Sequence, residues 1–176
     1  MNVEIIRARY RPDQITTLFV GESAPVSGAF FYCGNSALAR HMETALTANG
    51  RGGNGEFLER FKAYGWYLDD LVLTPVNHLP KTQREAQCVA AVNGLADRIA
   101  EYRPLAIVSV LLKIKEIVGV AAKLACSNAV QFAVPFPGNG QQARFQREMA
   151  LILPRLPIAS QAALRTERFK AFRWRD

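Results

Sequence analysis

Residues 105–110 have the sequence Leu-Ala-Ile-Val-Ser-Val, an almost uninterrupted apolar run that precedes a helical pattern at residues 113–124. A short run without apolar–polar alternation is typical of a strand that is buried on both faces. The helical pattern before it starts at Thr82 and ends at Arg103-Pro104, because the residue before a proline disfavours helical backbone. The stretch therefore predicts a helix–strand–helix segment of a parallel sheet.

The same alternation continues in both directions along the chain. Apolar runs predict further strands, and periodic apolar positions predict further helices. An alternating pattern of this kind predicts an α/β fold around a mostly parallel, four-stranded sheet. At 176 residues the chain suits one domain, 1–176, with a core at about residues 15–153 and a basic, aromatic segment at 161–176. The further strands are predicted at 15–20, 66–73 and 130–134, and the further helices from Ser36 and at 57–64 and 139–153.

The charge of the chain gives the first indication of a function. Twenty-two Lys and Arg residues oppose fifteen Asp and Glu residues, so the formal net charge is +7. A small basic domain is suited to bind a polyanion such as nucleic acid. No apolar run reaches the about 20 residues of a membrane span, and the charges within residues 1–13 are untypical of a signal peptide. We therefore expect no membrane partner and a cytoplasmic location, associated with the nucleoid if the protein is bacterial.

The metal-binding and nucleotide-binding motifs that would indicate other functions are absent from the sequence. It contains no CxxC pair, no GxGxxG or GxxxxGK[ST] phosphate loop and no GxSxG nucleophile turn. The few cysteines and histidines are widely spaced, which predicts neither a disulfide framework nor a zinc site. We expect no metal and no cofactor. These residues are Cys33, His41, His78, Cys88 and Cys126.

Two of the predicted strands end in carboxylates. In open parallel sheets, ligands bind beyond the carboxyl ends of the strands. Glu22 follows the first strand in the segment Gly21–Pro25, and Asp69 and Asp70 lie in the second. A carboxylate at the position of Glu22 can act as a general base or stabilise a developing cation. Equally, it can cap a turn or pair with an arginine.

Three other segments each allow two interpretations. The adjacent aromatics Phe30-Phe31-Tyr32 can form a wall for a planar base, or they can fill the core. The segment 135–141 precedes a helix whose N-terminal N–H groups can bind phosphate, or its Asn139 can simply cap that helix. The basic segment 161–176 can lie on nucleic acid, or it can dock its aromatic side chains on the domain.

Taken in order, these segments resemble the uracil-DNA glycosylase superfamily, especially its iron–sulfur branch. The segment LFVGESAP is similar to that branch's GEAPG-type motif, and GAFFYCGNSALARHMETAL is similar to its GxPFVGxAGxLL segment. Later segments resemble the second strand, the PTxEEIxxC helix start, the RPxxIVxLG strand and the HPS-type loop. The resemblance covers about residues 16–153. The later segments are YLDDLVLTPVN, PKTQREAQC, IAEYRPLAIVSV and VPFPGNGQQARF.

The resemblance implies a three-layer α/β/α sandwich and hydrolysis of an N-glycosidic bond in DNA after base flipping. It implies that Glu22 lies near the attacking water, that Phe31 stacks on the flipped base with Tyr32 beside it, and that Asp70 reads the base edge. We expect the protein to act on DNA, single-stranded or lesion-containing, as a monomer. The expected contacts to the DNA backbone are Ser23, Pro137, Gly138, Asn139 and Gln141.

The chain departs from the family pattern at three positions. Phe136 replaces the histidine that normally stabilises the departing base anion. Cys88 matches one cluster ligand, but no N-terminal CxxC accompanies it, so we predict no iron–sulfur cluster. Asp70 replaces an asparagine, and an ionised aspartate only accepts hydrogen bonds, whereas uracil presents both an N–H and a carbonyl. Either Asp70 is protonated or the preferred base differs. We expect Glu22 and Asp70 to face one cleft, where their repulsion would raise at least one pKa.

Three functions are compatible with these features. The first is a DNA glycosylase acting on uracil or another deaminated or damaged base. The second is a catalytically silent nucleic-acid-binding domain of the same fold. The third is an unrelated α/β hydrolase for a small nucleoside.

Overall fold

The computed structural model of the chain describes residues 3–53 and 55–159. Its centre is a four-stranded, all-parallel sheet with the strand order β2-β1-β3-β4. Helices flank the sheet, which confirms the predicted α/β/α sandwich. The strands are β1 (Thr17–Gly21), β2 (Trp66–Asp70), β3 (Ala106–Ser109) and β4 (Val130–Ala133).

Seven α-helices lie in the described part of the chain, and several of them are flanked by a short 3₁₀ or π-helical turn. The helices are α1 (Val3–Arg9), α2 (Ala37–Leu46), α3 (Phe57–Ala63), α4 (Lys81–Ala90), α5 (Val92–Tyr102), α6 (Lys115–Leu124) and α7 (Gln142–Ile152). The 3₁₀ turns are Phe31–Cys33, Leu112–Ile114 and Leu153–Arg155, and a wider turn spans Thr47–Arg51. No helix of the described ranges combines the length and the apolar character that a membrane crossing requires.

Strand β1 is the centre of the core. Phe19 pairs in register with Leu68 of β2 on one side and with Val108 of β3 on the other. Its ring is fully buried and lies 5.2 Å from the ring of Phe61 and 5.5 Å from that of Trp66, measured between centroids. Burial on both faces explains why the sequences of β1 and β3 are mostly apolar, with Thr17 and Ser109 as buried exceptions.

Two of the predicted helices differ from the structure, and the pattern of the sequence predicts no helix at α1. The helix predicted from Thr82 to Tyr102 is divided at Ala91, which lies between the end of α4 and the start of α5. The two helices do not share one buried apolar face, because Val89 of α4 is exposed whereas Leu95 of α5 is fully buried. The helix predicted from Asn139 begins only at Gln142, since Asn139 has left-handed backbone with φ 50°. No apolar periodicity marks α1, because Arg7 is the only buried residue of this helix.

The strand order places a topological switch point between β1 and β3. From β1 the chain moves to β2 on one side of the sheet, and from β3 it moves to β4 on the other. The helices that follow the two strands therefore diverge and leave a crevice at the carboxyl ends, where α/β folds commonly bind ligands. Residues 22 and 110–113, which follow β1 and β3, lie at this crevice.

We predict that Phe19→Ala lowers the free energy of unfolding by about 3–5 kcal/mol, because it leaves a cavity between the sheet and α3. Urea unfolding at neutral pH measures the change. Leu151→Ala is the matched control, since Leu151 is 68% exposed on α7 and its loss should change stability by less than about 0.5 kcal/mol. Equal effects of the two variants would contradict the central position of Phe19.

Candidate functional site

Glu22 lies at the switch point, held between two cations. It directly follows β1, and its side chain is buried. Arg84 of α4 donates to Glu22 Oε2 through Nε at 2.7 Å and also through Nη2. Lys113, in the turn after β3, places Nζ 2.5 Å from the other oxygen, Oε1. Each oxygen of one carboxylate therefore has its own cation.

The two cations keep Glu22 ionised. Burial alone would raise the pKa of its carboxyl, but hydrogen bonds and charge from Arg84 and Lys113 outweigh burial and lower the pKa below its ordinary value. The carboxylate is therefore a weak proton acceptor at neutral pH. It remains able to stabilise a cation or to orient a water molecule by accepting its hydrogen bond. The alternative in which Glu22 pairs with an arginine is confirmed.

Cys88 lies beside this carboxylate. Its buried Sγ is 3.8 Å from Glu22 Oε1. Burial and the charge of Glu22 raise the pKa of the thiol, so Cys88 is protonated at neutral pH. Among the described residues, no group of three or more His, Cys, Asp and Glu side chains comes together in a way that could hold a metal ion.

A second charged cluster lies at the end of β2 and is closed to solvent. Arg7 of α1 donates to Asp69 Oδ1 through Nη1 at 2.5 Å and to Asp70 Oδ2 through Nη2 at 2.7 Å. Arg98 of α5 donates through Nε to Asp69 Oδ2 and through Nη2 to the carbonyl of Asp70, each at 2.7 Å. Arg7, Asp69 and Asp70 are all buried, so this cluster ties α1 and α5 to the sheet.

Gly21 makes room for this cluster. It pairs in register with Asp70, and a Cβ atom at position 21 would lie only 2.5 Å from Asp70 Oδ1. The carboxylate cannot swing away without losing Arg7. A residue without a side chain is therefore required at the end of β1.

The expectation that Glu22 and Asp70 face one cleft needs correction. Their strands are neighbours, as predicted, but Asp70 is buried against Arg7 while Glu22 binds Arg84 and Lys113. The pKa of Asp70 is indeed raised, to about 6. The main cause is burial, the charge of Asp69 adds to it, and Arg7 opposes it. Repulsion by Glu22 is not among the causes.

The aromatics at 30–32 fill the core. All three are buried. Phe31 packs edge-on against Phe61 with centroids 5.2 Å apart. The hydroxyl of Tyr32 accepts from the N–H of Leu68 at 2.6 Å and donates to its carbonyl at 2.9 Å, and its ring stacks on Tyr10. Stacking of Phe31 or Tyr32 on a base would require this packing to open.

The loop after β4 is one of the exposed segments at the carboxyl edge. Pro137 is buried and Gly138 half-buried, whereas Asn139 and Gln141 are exposed. The N-cap position of α7 is occupied by Gln141 and not by Asn139. The side chain of Gln141 makes no capping hydrogen bond. Phe136 is exposed, and its ring covers Gly138 so closely that a Cβ there would lie 3.1 Å away. In contrast, Ser23 is engaged internally: its Oγ accepts from the N–H of Val76 at 3.2 Å.

Sequence reasoning missed the cationic partners of the carboxylates. Arg84 lies four residues before Cys88 on one face of α4, and Lys113 follows the carboxyl end of β3 by four residues. These positions could have indicated the crevice. Arg7 and Arg98 carried no such indication, because only the tertiary fold brings them to Asp69 and Asp70.

A cavity of about 360 Å³ lies at the opposite, amino end of the sheet. It is lined by residues of α5, the start of β3 and the loop after α6, including Ile99, Arg103, Leu105 and Asn128. Its lining contains no carboxylate and no histidine. This cavity therefore offers neither of the side chains that most often act as a general acid or base.

No protein-family model matches this chain, and no curated protein matches it with significance. The roles that the uracil-DNA glycosylase resemblance implies for individual residues therefore stay predictions.

Removal of Arg7 should destabilise the fold strongly, because it leaves two buried carboxylates without their shared cation. We expect Arg7→Met to lower the free energy of unfolding by about 3–5 kcal/mol. Arg9→Met, at an exposed position of the same helix, is the control and should have an effect below about 1 kcal/mol. Chemical denaturation of both variants measures these changes. A small loss of stability in Arg7→Met would show that Arg98 alone can stabilise the two aspartates.

The raised pKa of Asp70 predicts a pH dependence of stability. In the unfolded chain Asp70 titrates near its ordinary value of about 4, whereas in the folded protein its pKa is about 6. Because the folded state holds this proton more tightly, ionisation of Asp70 reduces stability as pH rises from about 4 to about 6. The unfolding free energy of the wild type minus that of Asp70→Asn should fall by roughly 2–3 kcal/mol across this window. A rise of this difference with pH would mean that Arg7 lowers the pKa of Asp70 by more than burial raises it.

Proposed function

We propose that this chain binds DNA at the carboxyl edge of its sheet and hydrolyses the N-glycosidic bond of an extruded uracil or other damaged base. The observation that carries the proposal is the buried, ionised carboxylate of Glu22 at the switch point, held by Arg84 and Lys113. The net charge of +7 supports a polyanionic substrate.

The proposed chemistry is mainly electrostatic. As the bond between C1′ and the base nitrogen breaks, positive charge develops on the sugar and negative charge on the departing base. The carboxylate of Glu22 stabilises the sugar cation and orients the water that adds to C1′. Because its pKa is lowered, Glu22 acts as a charge and hydrogen-bond acceptor rather than as a strong base. The water's proton is finally released to solvent or to the leaving base.

The other proposed contacts come from the exposed loop after β4. Pro137, Gly138, Asn139 and Gln141 would approach the DNA backbone, and Phe136 would lie beside them in place of the family's histidine. The base-reading roles of Phe31, Tyr32 and Asp70 require a rearrangement, since each is buried in the described structure.

That burial favours a second candidate, a catalytically silent nucleic-acid-binding domain of the same fold. In this case Phe31 and Tyr32 serve the core, and Asp70 serves only as the partner of Arg7. DNA binding would then persist without excision. The two candidates share the binding surface and differ only in whether a base is released.

Excision is tested with labelled oligonucleotides that each carry one lesion, followed by alkali cleavage at abasic products. We expect the wild type to release at least one base and Glu22→Gln to release it at least tenfold more slowly in single turnovers. Glu22→Gln removes one negative charge from the crevice, so the variant should bind DNA as tightly as the wild type or more tightly. Slower excision with undiminished binding would therefore identify a catalytic role.

Three outcomes separate the alternatives. Full activity of Glu22→Gln would remove Glu22 from the mechanism. Salt-dependent DNA binding by a wild type that releases no base from any oligonucleotide would establish the silent domain. Absence of DNA binding at low salt, together with hydrolysis of free nucleosides, would favour a small-nucleoside hydrolase.

A further inference from the structure

The two cations around Glu22 have hydrogen-bond donors that this carboxylate does not use. Arg84 uses Nε and Nη2 on Glu22, which leaves Nη1, and Lys113 directs one of its three N–H bonds to Glu22. The side chain of Arg84 is 29% exposed and that of Lys113 is 50% exposed. Both heads can therefore donate to an acceptor that arrives from solvent.

Arg84, Lys113 and Glu22 together carry a net positive charge, which favours the binding of one further anion. Arg84 and Lys113 together carry two positive charges, and Glu22 neutralises one of them. The remaining charge of +1 is balanced by the single negative charge of one phosphodiester group. By contrast, in the cluster of Arg7, Arg98, Asp69 and Asp70 two arginines face two aspartates, and the aspartates are buried. Only the group at the switch point is both open and cationic.

The two cations also come from different elements that meet at the crevice. Arg84 lies in the first half of α4, and Lys113 lies in the 3₁₀ turn that leads from β3 into α6. An anion between them would be held from two sides, with the planar guanidinium giving directed hydrogen bonds and the ammonium giving a compact charge.

We propose that Arg84 and Lys113 form a phosphate-binding subsite beside Glu22, which holds the backbone phosphate next to the nucleotide whose sugar faces that carboxylate. The position of this nucleotide rests on the function proposed above, whereas the capture of phosphate does not.

The test measures duplex DNA affinity against salt concentration by fluorescence anisotropy. The duplex contains a stable abasic analogue, so no excision is needed. Each phosphate contact contributes about 0.9 to the slope of log affinity against log salt. Lys113→Gln and Arg84→Gln should each reduce the slope by about that amount, whereas Arg84→Lys, which keeps the charge, should retain most of it.

Lys115→Gln is the matched control. Lys115 lies two residues from Lys113, its side chain is 60% exposed, and its partner is Glu116 rather than Glu22. The control removes the same charge from nearly the same place, so it should leave the slope almost unchanged. An equal loss of slope for Lys115→Gln and Lys113→Gln would overturn the proposal, because net charge alone would then explain binding. An unchanged slope for Lys113→Gln and Arg84→Gln, with melting temperatures showing that both variants fold, would overturn it as well.

These results are independent of the excision assay. If the wild type releases no base while Lys113→Gln and Arg84→Gln lose slope, the subsite stands and the glycosylase proposal fails. If excision depends on Glu22 while the slopes of both variants match the wild type, the glycosylase proposal stands and the subsite fails.

Discussion

The buried guanidinium of Arg7 determines how the carboxyl end of β2 is built. Two consecutive aspartates at the end of a buried strand would repel each other and lose their hydration, and an unpaired buried charge is too costly to persist. Arg7 donates to both Asp69 and Asp70, and Arg98 adds its own hydrogen bonds from α5. Because Arg7 is the only buried residue of α1, the position of this helix depends on the same interaction.

At the carboxyl end of β1 a carboxylate is also paired with cations, but here the pair stays accessible to solvent. Glu22 also has two cationic partners, but these come from the rim of the crevice, and solvent reaches them. At β2, charge pairing completes the core and leaves nothing for a ligand. At β1 it keeps a carboxylate ionised beside two cations that solvent can reach. This difference separates a group that maintains the fold from one that is suited to act on a substrate.

The strands could be predicted well from the sequence, because burial on both faces makes β1 and β3 short, mostly apolar runs that are visible locally. The position of Glu22 directly after β1 is predictable for a similar reason, since the end of a strand is a local feature. Its interaction with Arg84, 62 positions away, is indicated only indirectly, by the position of Arg84 one turn before Cys88, and the interaction of Arg7 with Asp69 has no indication in the sequence. The aromatics at 30–32 allowed two interpretations because stacking residues and core residues have the same composition. Only the packing of Phe31 and the hydrogen bonds of Tyr32 distinguish them.

Gly21 constrains how this protein can diverge. Any side chain at position 21 would compete with the carboxylate of Asp70 for the same space, and Asp70 is fixed by Arg7. A larger residue at 21 is therefore compatible only with a shorter or repositioned side chain at 70, and such a change leaves Arg7 in need of another acceptor. Residues 7, 21 and 70 thus form a unit of covariation: in descendants of this sequence glycine should persist at 21 for as long as the acid at 70 and the arginine at 7 are retained.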